Sequence, residues 1–331
     1  MKKYLLLIVS IVLFLSCEDK KEQSLPLDCA GVEGGTATFD SCGFCTEGTT
    51  GFLFNSLMDC AGECFGNAEI DSCGVCDNNT TNDCVQDCNG DWGGDVVEDV
   101  CEVCGGDNSS CPTITDIDGN IYPTVQIGNQ NWIKKNLKVT HYNNGHEIPT
   151  GHSNSEWTYL STGAYSVYLD DSSLVETYGY LYNWYVVDDS IGICPEGWHV
   201  PSDIDFKELE IYLGMNQEEA DGIGYRGNNE GGMLKKGGEN NLWNSEICGN
   251  PVCSDGSMGC NCTNFSALPG GYRDGSGSGD YHGRGIFGYF WSYTDRSSLG
   301  SWSRVLYYDY AGVLRLSNYK DNGFSIRCIE D

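Results

Sequence analysis

The chain has 331 residues, room for two or three domains, with 18 Lys+Arg against 48 Asp+Glu and a formal charge of −30. That balance excludes nucleic acid as a partner and argues against anionic membrane contact through the protein surface, because phosphate recognition needs Lys and Arg. It suits divalent cations, basic partners or plain solubility.

The first segment, 1–16, reads as a signal peptide. Lys2 and Lys3 form a basic start, and the apolar run 4–15 is twelve residues, short for a bilayer span and right for a signal core. Ser16-Cys17 follows, then a polar tether over 17–28. No A-x-A-like cleavage site is present, and the pattern resembles a bacterial lipoprotein lipobox, with Phe14 and Leu15 where Leu and a small residue are usual. Cys17 is the expected lipidation site, and acyl chains contribute about 0.8 kcal/mol per buried CH₂. Glu18-Asp19 resembles the surface-export signals of Bacteroidetes lipoproteins. The expected address is the outer membrane, lipid-anchored and facing outward.

Apart from Cys17, twelve cysteines fall between 29 and 111 and six between 194 and 328. Even counts in an exported chain favour disulfides. Residues 29–111 form three acidic repeats. Cys29, Cys60 and Cys88 each stand thirteen residues before the first cysteine of a C-x-x-C, namely Cys42/Cys45, Cys73/Cys76 and Cys101/Cys104. Units two and three close with Cys84 and Cys111. Unit one lacks a closing cysteine and unit two carries an extra one, Cys64, so the simplest arithmetic gives Cys64 to unit one. With few large apolar residues these units cannot bury much core and must be cross-linked. Tetrahedral zinc is the alternative for the C-x-x-C pairs, disfavoured by compartment and by the lack of His here. The repeats resemble acidic DCxGxxxGxAxxDxCGxCGGD repeats of secreted and surface proteins of marine bacteria, which implies a disulfide-stapled, loop-rich stalk. Asp71, Asp77, Asp83, Asp95, Asp99 and Asp107 are candidate calcium ligands, although no DxDxDG loop accompanies them; solvated turns are the alternative.

From 112 to 331 the composition changes: fourteen Lys+Arg and seven of the eight tryptophans lie here. Residues 115–137 alternate β-rich runs with the turn dipeptides Asp118-Gly119 and Gly128-Asn129 and predict a hairpin or meander. At 203–213 a helix is expected, opened by Ser202 with Asp205 three residues on, carrying Phe206, Leu209, Leu213, Ile204 and Tyr212 as its apolar stripe and stopped by Gly214. The insert with Cys248, Cys253, Cys260 and Cys262 predicts two local disulfides, a metal clip being the alternative. Segments 286–293, 301–309, 312–318 and 323–331 predict antiparallel strands in sequence.

The stretches DIDGNIYPTVQIGNQNWIKKNL, YGYLYNWY, CPEGWHVPSDIDFKELEIYLG, FSALPGGYRDG, GYFWSYTD and GFSIRCIED together resemble the Fibrobacter succinogenes major paralogous domain. Ile133-Lys134-Lys135 departs from the usual Met-Ala-Glu. The resemblance implies an α+β, C-type-lectin-like head of antiparallel strands with one well-capped helix, related more distantly to formylglycine-generating enzymes. It also implies a bridge between Cys194 and Cys328.

A non-enzymatic head that binds glycan or another extracellular partner follows from that resemblance. Trp157, Trp243, Tyr281, Trp291 and Trp302 are the candidate sugar-stacking aromatics, with core burial the alternative for each. Calcium-lectin motifs are not intact: Trp243-Asn244-Ser245 lacks the closing Asp. No nucleophile or metal motif surrounds any of the five histidines, and no catalytic residue or cofactor is assigned beyond the calcium candidates. Two further readings stand beside this one: a structural surface component without a soluble ligand, and an enzyme of the formylglycine-generating kind.

Overall fold

The computed structural model describes residues 24–237, 242–244, 253 and 260–331. The signal segment, Cys17 and Cys248 lie outside the described residues. The chain forms two compact units, one ending at Val96 and the other running from Val97 to Asp331. The second therefore takes in the last part of the third repeat, ahead of the composition change at 112.

In the first unit, each repeat is organised by an aspartate rather than by a core. Asp28 accepts from the backbone N–H groups of Ala30, Val32 and Ala37. Asp59 does the same for Ala61, Glu63 and Ala68, and Asp87 for Asn89, Asp91 and Val96. Glycine seven residues on is required by the same geometry: a Cβ at Gly35, Gly66 or Gly94 would overlap the carboxylate of Asp28, Asp59 or Asp87. This is why Asp-Cys-x-Gly and the later glycine recur together. Bonds to Val32 and Glu63 lead the causes that hold the Asp28 and Asp59 carboxyls below their ordinary range.

The cross-links follow one rule. Cys29–Cys45 and Cys60–Cys76 each close a unit on itself, while Cys42–Cys64 and Cys73–Cys84 reach forward. Cys64 thus completes unit one through Cys42. Cys88 and Cys104 are disulfide-bonded as well, and Cys101–Cys111 closes the series in the second unit. With every one of these thiols oxidised, the zinc alternative has no thiolates to use.

The second unit is an α+β head made mostly of strands. One sheet contains β1 (Thr113–Thr115), β2 (Ile121–Ile127), β3 (Gln130–Ile133), β4 (Trp198–His199) and β9 (Ile329–Glu330), in the order β4-β9-β3-β2-β1. The other contains β5 (Gly224–Arg226), β6 (Phe287–Asp295), β7 (Gly300–Tyr307) and β8 (Tyr310–Tyr319), in the order β5-β8-β7-β6. All these ladder pairs are antiparallel. The last of the four strands expected at the C-terminus corrects the sequence reading: it does not extend the meander β6-β7-β8 but inserts between β3 and β4, pairing Ile329 with both His199 and Trp132. Its pairing partners lie far back in the chain, which local alternation cannot report.

The helix α1 (Asp203–Tyr212) starts with a complete capping box: the Asp205 N–H donates to Ser202 Oγ at 3.2 Å and the Ser202 N–H donates to Asp205 Oδ2 at 2.7 Å. The buried face differs from the expected stripe. Phe206 and Leu209 are buried, but Ile204 and Tyr212 are both 64% exposed, and the other buried positions of the helix are Asp203 and Glu210. These acids meet arginines rising from β5, β7 and β8. Arg304 donates to Glu210 Oε1 at 2.6 Å and to Asp203 Oδ1 at 2.9 Å; Arg315 grips both Asp203 oxygens at 2.8 and 2.7 Å; Arg226 grips both Glu210 oxygens at 2.9 and 2.8 Å. Burial opposes ionisation of Asp203, yet the bonds and charges of Arg315 and Arg304 win and hold its carboxyl far below the usual range.

Two apolar clusters fill the rest. One gathers Tyr122, Ile133, Tyr182, Trp184, Trp291, Phe324 and the Cys194–Cys328 bridge; the other lies beneath α1 with Trp132, Phe206, Leu209, Phe265, Phe290 and Leu306. Fully buried aromatics of this size each stabilise by about 1.5–3 kcal/mol through apolar burial. The hairpin β2–β3 turns at Gly128, where φ is +61° and a Cβ would collide with the Tyr212 ring, so glycine is needed there twice over.

Candidate functional site

The aromatic candidates drawn from sequence are mostly interior. Trp157 and Trp291 are fully buried, and Trp243 and Trp302 are 6% and 9% exposed. Trp291 donates its Nε1–H to the Tyr182 carbonyl at 2.8 Å and Trp243 donates to the Ala267 carbonyl at 3.2 Å. Trp302 lies under the Arg315 guanidinium at 3.6 Å, and Trp157 under that of Arg273 at 4.4 Å. These four are corrected from stacking surfaces to core, where a large ring excludes more water than it would at the surface. Tyr281 is half-buried, its hydroxyl donating to Asp170 Oδ1 at 2.7 Å; burial and that bond push the hydroxyl up to about 12.

The calcium candidates are corrected on similar grounds. Asp71 accepts from the N–H groups of Cys73 and Val75, and Asp99 from Cys101, Val103 and Asn108. Asp77 accepts from Asn79 and Asn82, and Asp107 from Ser109. Asp83 and Asp95 are exposed. Four of the six thus serve their own turns, and among the described residues no three His, Cys, Asp or Glu side chains gather as a metal site. In the insert, Cys253 bonds Cys262, and Cys260 is also disulfide-bonded, so the metal-clip alternative loses its thiolates.

A cleft of about 350 Å³ opens beside the Cys194–Cys328 bridge. Its wall is the loop ahead of α1 and its floor includes Val187, Ile193 and Val200. Trp198, half-buried, and Tyr293, 56% exposed, supply two aromatic surfaces. Asp188, Asp189 and Asn143, from two other chain segments, supply polar groups to the lining.

Each of these groups has a local reason to be where it is. Asp189 caps its own turn, accepting the Ile191 N–H at 2.9 Å through Oδ1. Asn143 fastens that turn to the disulfide loop, donating its side-chain amide to the Cys194 carbonyl at 2.8 Å and its backbone N–H to the Gly192 carbonyl at 3.0 Å. Trp198 is fixed by its ladder partner Glu330 and by its N–H on the Pro195 carbonyl. Tyr293 lies at a break in the β6–β7 register between Trp291 and Asp295, and its N–H reaches the Pro201 carbonyl at 2.8 Å.

His199 borders the cleft but is engaged on both ring nitrogens, Nδ1 with Asp331 at 2.7 Å and Nε2 with Asp205 at 3.4 Å. It ties the closing strand to the α1 cap. A second depression, of about 240 Å³, is lined by Lys134, Lys236, Glu102 and Glu176. Glu102 there pairs with Lys236 at 2.9 Å and lies 3.8 Å from Lys134, and no aromatic ring is among the lining residues. The Trp198–Tyr293 cleft is the better candidate because two aromatic rings, one of them exposed, line it together with carboxylates that no cation among the described residues pairs.

Trp198 and Tyr293 were not among the residues chosen from sequence. The turn prolines and glycine around Trp198 marked an irregular, surface-bound segment, a signal that a ring there could stay accessible. Tyr293 carried no such signal, since the register break that turns it outward depends on β7.

Compared with families of known proteins, residues 125–330 match the Fibrobacter succinogenes major domain. No curated protein and no solved structure matches the chain.

Proposed function

The chain belongs to the Fibrobacter succinogenes major domain family, and we propose that it is a lipid-anchored protein of the outer cell surface whose head binds polysaccharide without acting on it. In this reading Cys17 carries the anchor, the cysteine repeats join it to the head, and the head is a variant of the C-type-lectin-like fold. The observation that carries the binding assignment is the open cleft with two accessible rings, Trp198 and Tyr293, beside Asn143, Asp188 and Asp189. Sugars present apolar C–H faces and hydroxyl edges, and rings beside carboxylates and amides answer both.

Disulfide chemistry supports the non-enzymatic side. A formylglycine-type enzyme needs reactive thiols, whereas Cys194 is bridged to Cys328, Cys253 to Cys262, and Cys260 is disulfide-bonded as well. The same oxidised state fits export, since such bonds persist outside the cytosol.

Affinity electrophoresis of the full chain through gels holding neutral, acidic and amino polysaccharides tests this. The expected result is retardation by at least one polymer, with Kd raised about tenfold in Tyr293→Ala, roughly 1.4 kcal/mol. Tyr293 is exposed enough to be removed without disturbing the core. Migration unaffected by every polymer would overturn the proposal in favour of a structural surface component.

A further inference from the structure

The charge of the cleft allows its ligand to be narrowed, resting on the polysaccharide reading above. Fourteen basic residues lie in 112–331, and six of them are buried: Arg226, Lys235, Arg273, Arg304, Arg315 and Arg327. Three hold the acids of α1. Lys235 donates to the Tyr307 and Tyr310 carbonyls, and Arg327 donates to Asn136 and to the carbonyls of Ile133, Phe265 and Ser266. Four carboxylates of the head, Asp116, Asp203, Glu210 and Glu230, are buried too, so among the described residues six buried cations against four buried acids leave its surface only slightly more acidic than composition alone implies.

No Lys or Arg lines the Trp198–Tyr293 cleft. The charged groups that line it are Asp188, Asp189 and His199, and His199 is already engaged by Asp205 and Asp331. Asp189 uses one oxygen for its turn. Asp188 is exposed, just past the short helix Trp184–Val187.

We infer that the cleft selects a cationic amino sugar, a glucosamine-type unit with a free ammonium group, over N-acetylated and uronic-acid saccharides. Two carboxylates offer charge-assisted hydrogen bonds to an ammonium group, and Tyr293 and Trp198 offer both a stacking face for the pyranose and a cation–π surface. An acidic sugar entering the same cleft meets two negative charges with no counter-cation, which repels it at close range.

The test uses the full chain and titrates glucosamine tetramer, its fully N-acetylated form, galacturonic acid tetramer and tetralysine by calorimetry at 150 mM salt. The variants are Asp188→Asn with Asp189→Asn together, which keeps the turn acceptor of residue 189, and Tyr293→Ala. The expected result is a preference of at least tenfold for the free amine over the N-acetyl form, no binding of the uronic tetramer, and loss of that preference in the double variant. Tyr293→Ala should weaken the glucosamine tetramer about tenfold and leave tetralysine unchanged. Equal affinity for amine and N-acetyl forms would overturn the charge selection while leaving the polysaccharide reading intact. A preference that survives the double variant would assign it to the overall −30 charge and overturn the role of the cleft. Tetralysine binding as tightly as glucosamine, with the same sensitivity to Tyr293, would overturn the sugar class. Failure of every saccharide would sink the polysaccharide reading itself.

Discussion

Asp203 and Glu210 stand seven residues apart on α1, so both point to the same face of the helix, and that face is turned to the sheet. Their four oxygens take the guanidinium groups of Arg226, Arg304 and Arg315, with Lys207 also 3.3 Å from Asp203. Such a buried network contributes little net stability against an apolar replacement, but opening it on one side is costly because the partner charges stay buried. Glu210→Gln leaves Arg226 and Arg304 short of a counter-charge and is expected to destabilise the head by about 3–5 kcal/mol. A chemical denaturation midpoint measures it, and a loss under 1 kcal/mol would contradict this account. The exposed Ile204 beside this face shows why apolar count alone misplaced the stripe. The acids were visible in the sequence, but their arginines lie 16 to 112 residues away in the chain, and only the fold brings them together.

Among the elements, β9 is the one on which the head closes. It lies between β3 and β4, and the residue just before it, Cys328, is joined to Cys194, 134 residues earlier. Constraining a loop that long in the unfolded chain is worth about 5 kcal/mol on the chain-entropy account. Replacing both cysteines, Cys194→Ser with Cys328→Ser, should therefore lower the stability of the head by several kcal/mol and loosen the loop that carries Trp198. Faster hydrogen exchange at residues 195–200 is the expected signature, and unchanged exchange there would show that β-pairing alone holds the loop. The capping box of α1 and the β2–β3 hairpin were legible because their signals are local, a serine with an acid three residues on and a Gly-Asn turn. The placement of β9 was not, because two short strands with the same alternation can join either sheet.

At the scale of the whole molecule the chain has two kinds of stability. The unit ending at Val96 has exposed apolar side chains such as Phe39, Phe54, Phe65 and Ile70 and is held by cross-links and aspartate-centred turns. The unit from Val97 onward has two packed cores. Reduction should accordingly separate them: with thiol reductant at neutral pH, limited proteolysis is expected to cut first within 29–96 while the head persists as a resistant fragment. Simultaneous loss of both would show that the head too depends on its disulfides.

The sequence alone determined the repeat architecture, the sharing of Cys64 with unit one, the cap of α1 and the family, because each rests on residues at fixed short spacing or on motifs in order. Tertiary structure decided which tryptophans are core, which face of α1 is buried, where the final strand pairs, and that an open cleft stands at Trp198 and Tyr293. Burial and convergence are sums over residues distant in the chain, and no local pattern encodes them. The segment 193–214, so readable in sequence, owes its place in the head to a cysteine, three arginines and a strand that all come from elsewhere.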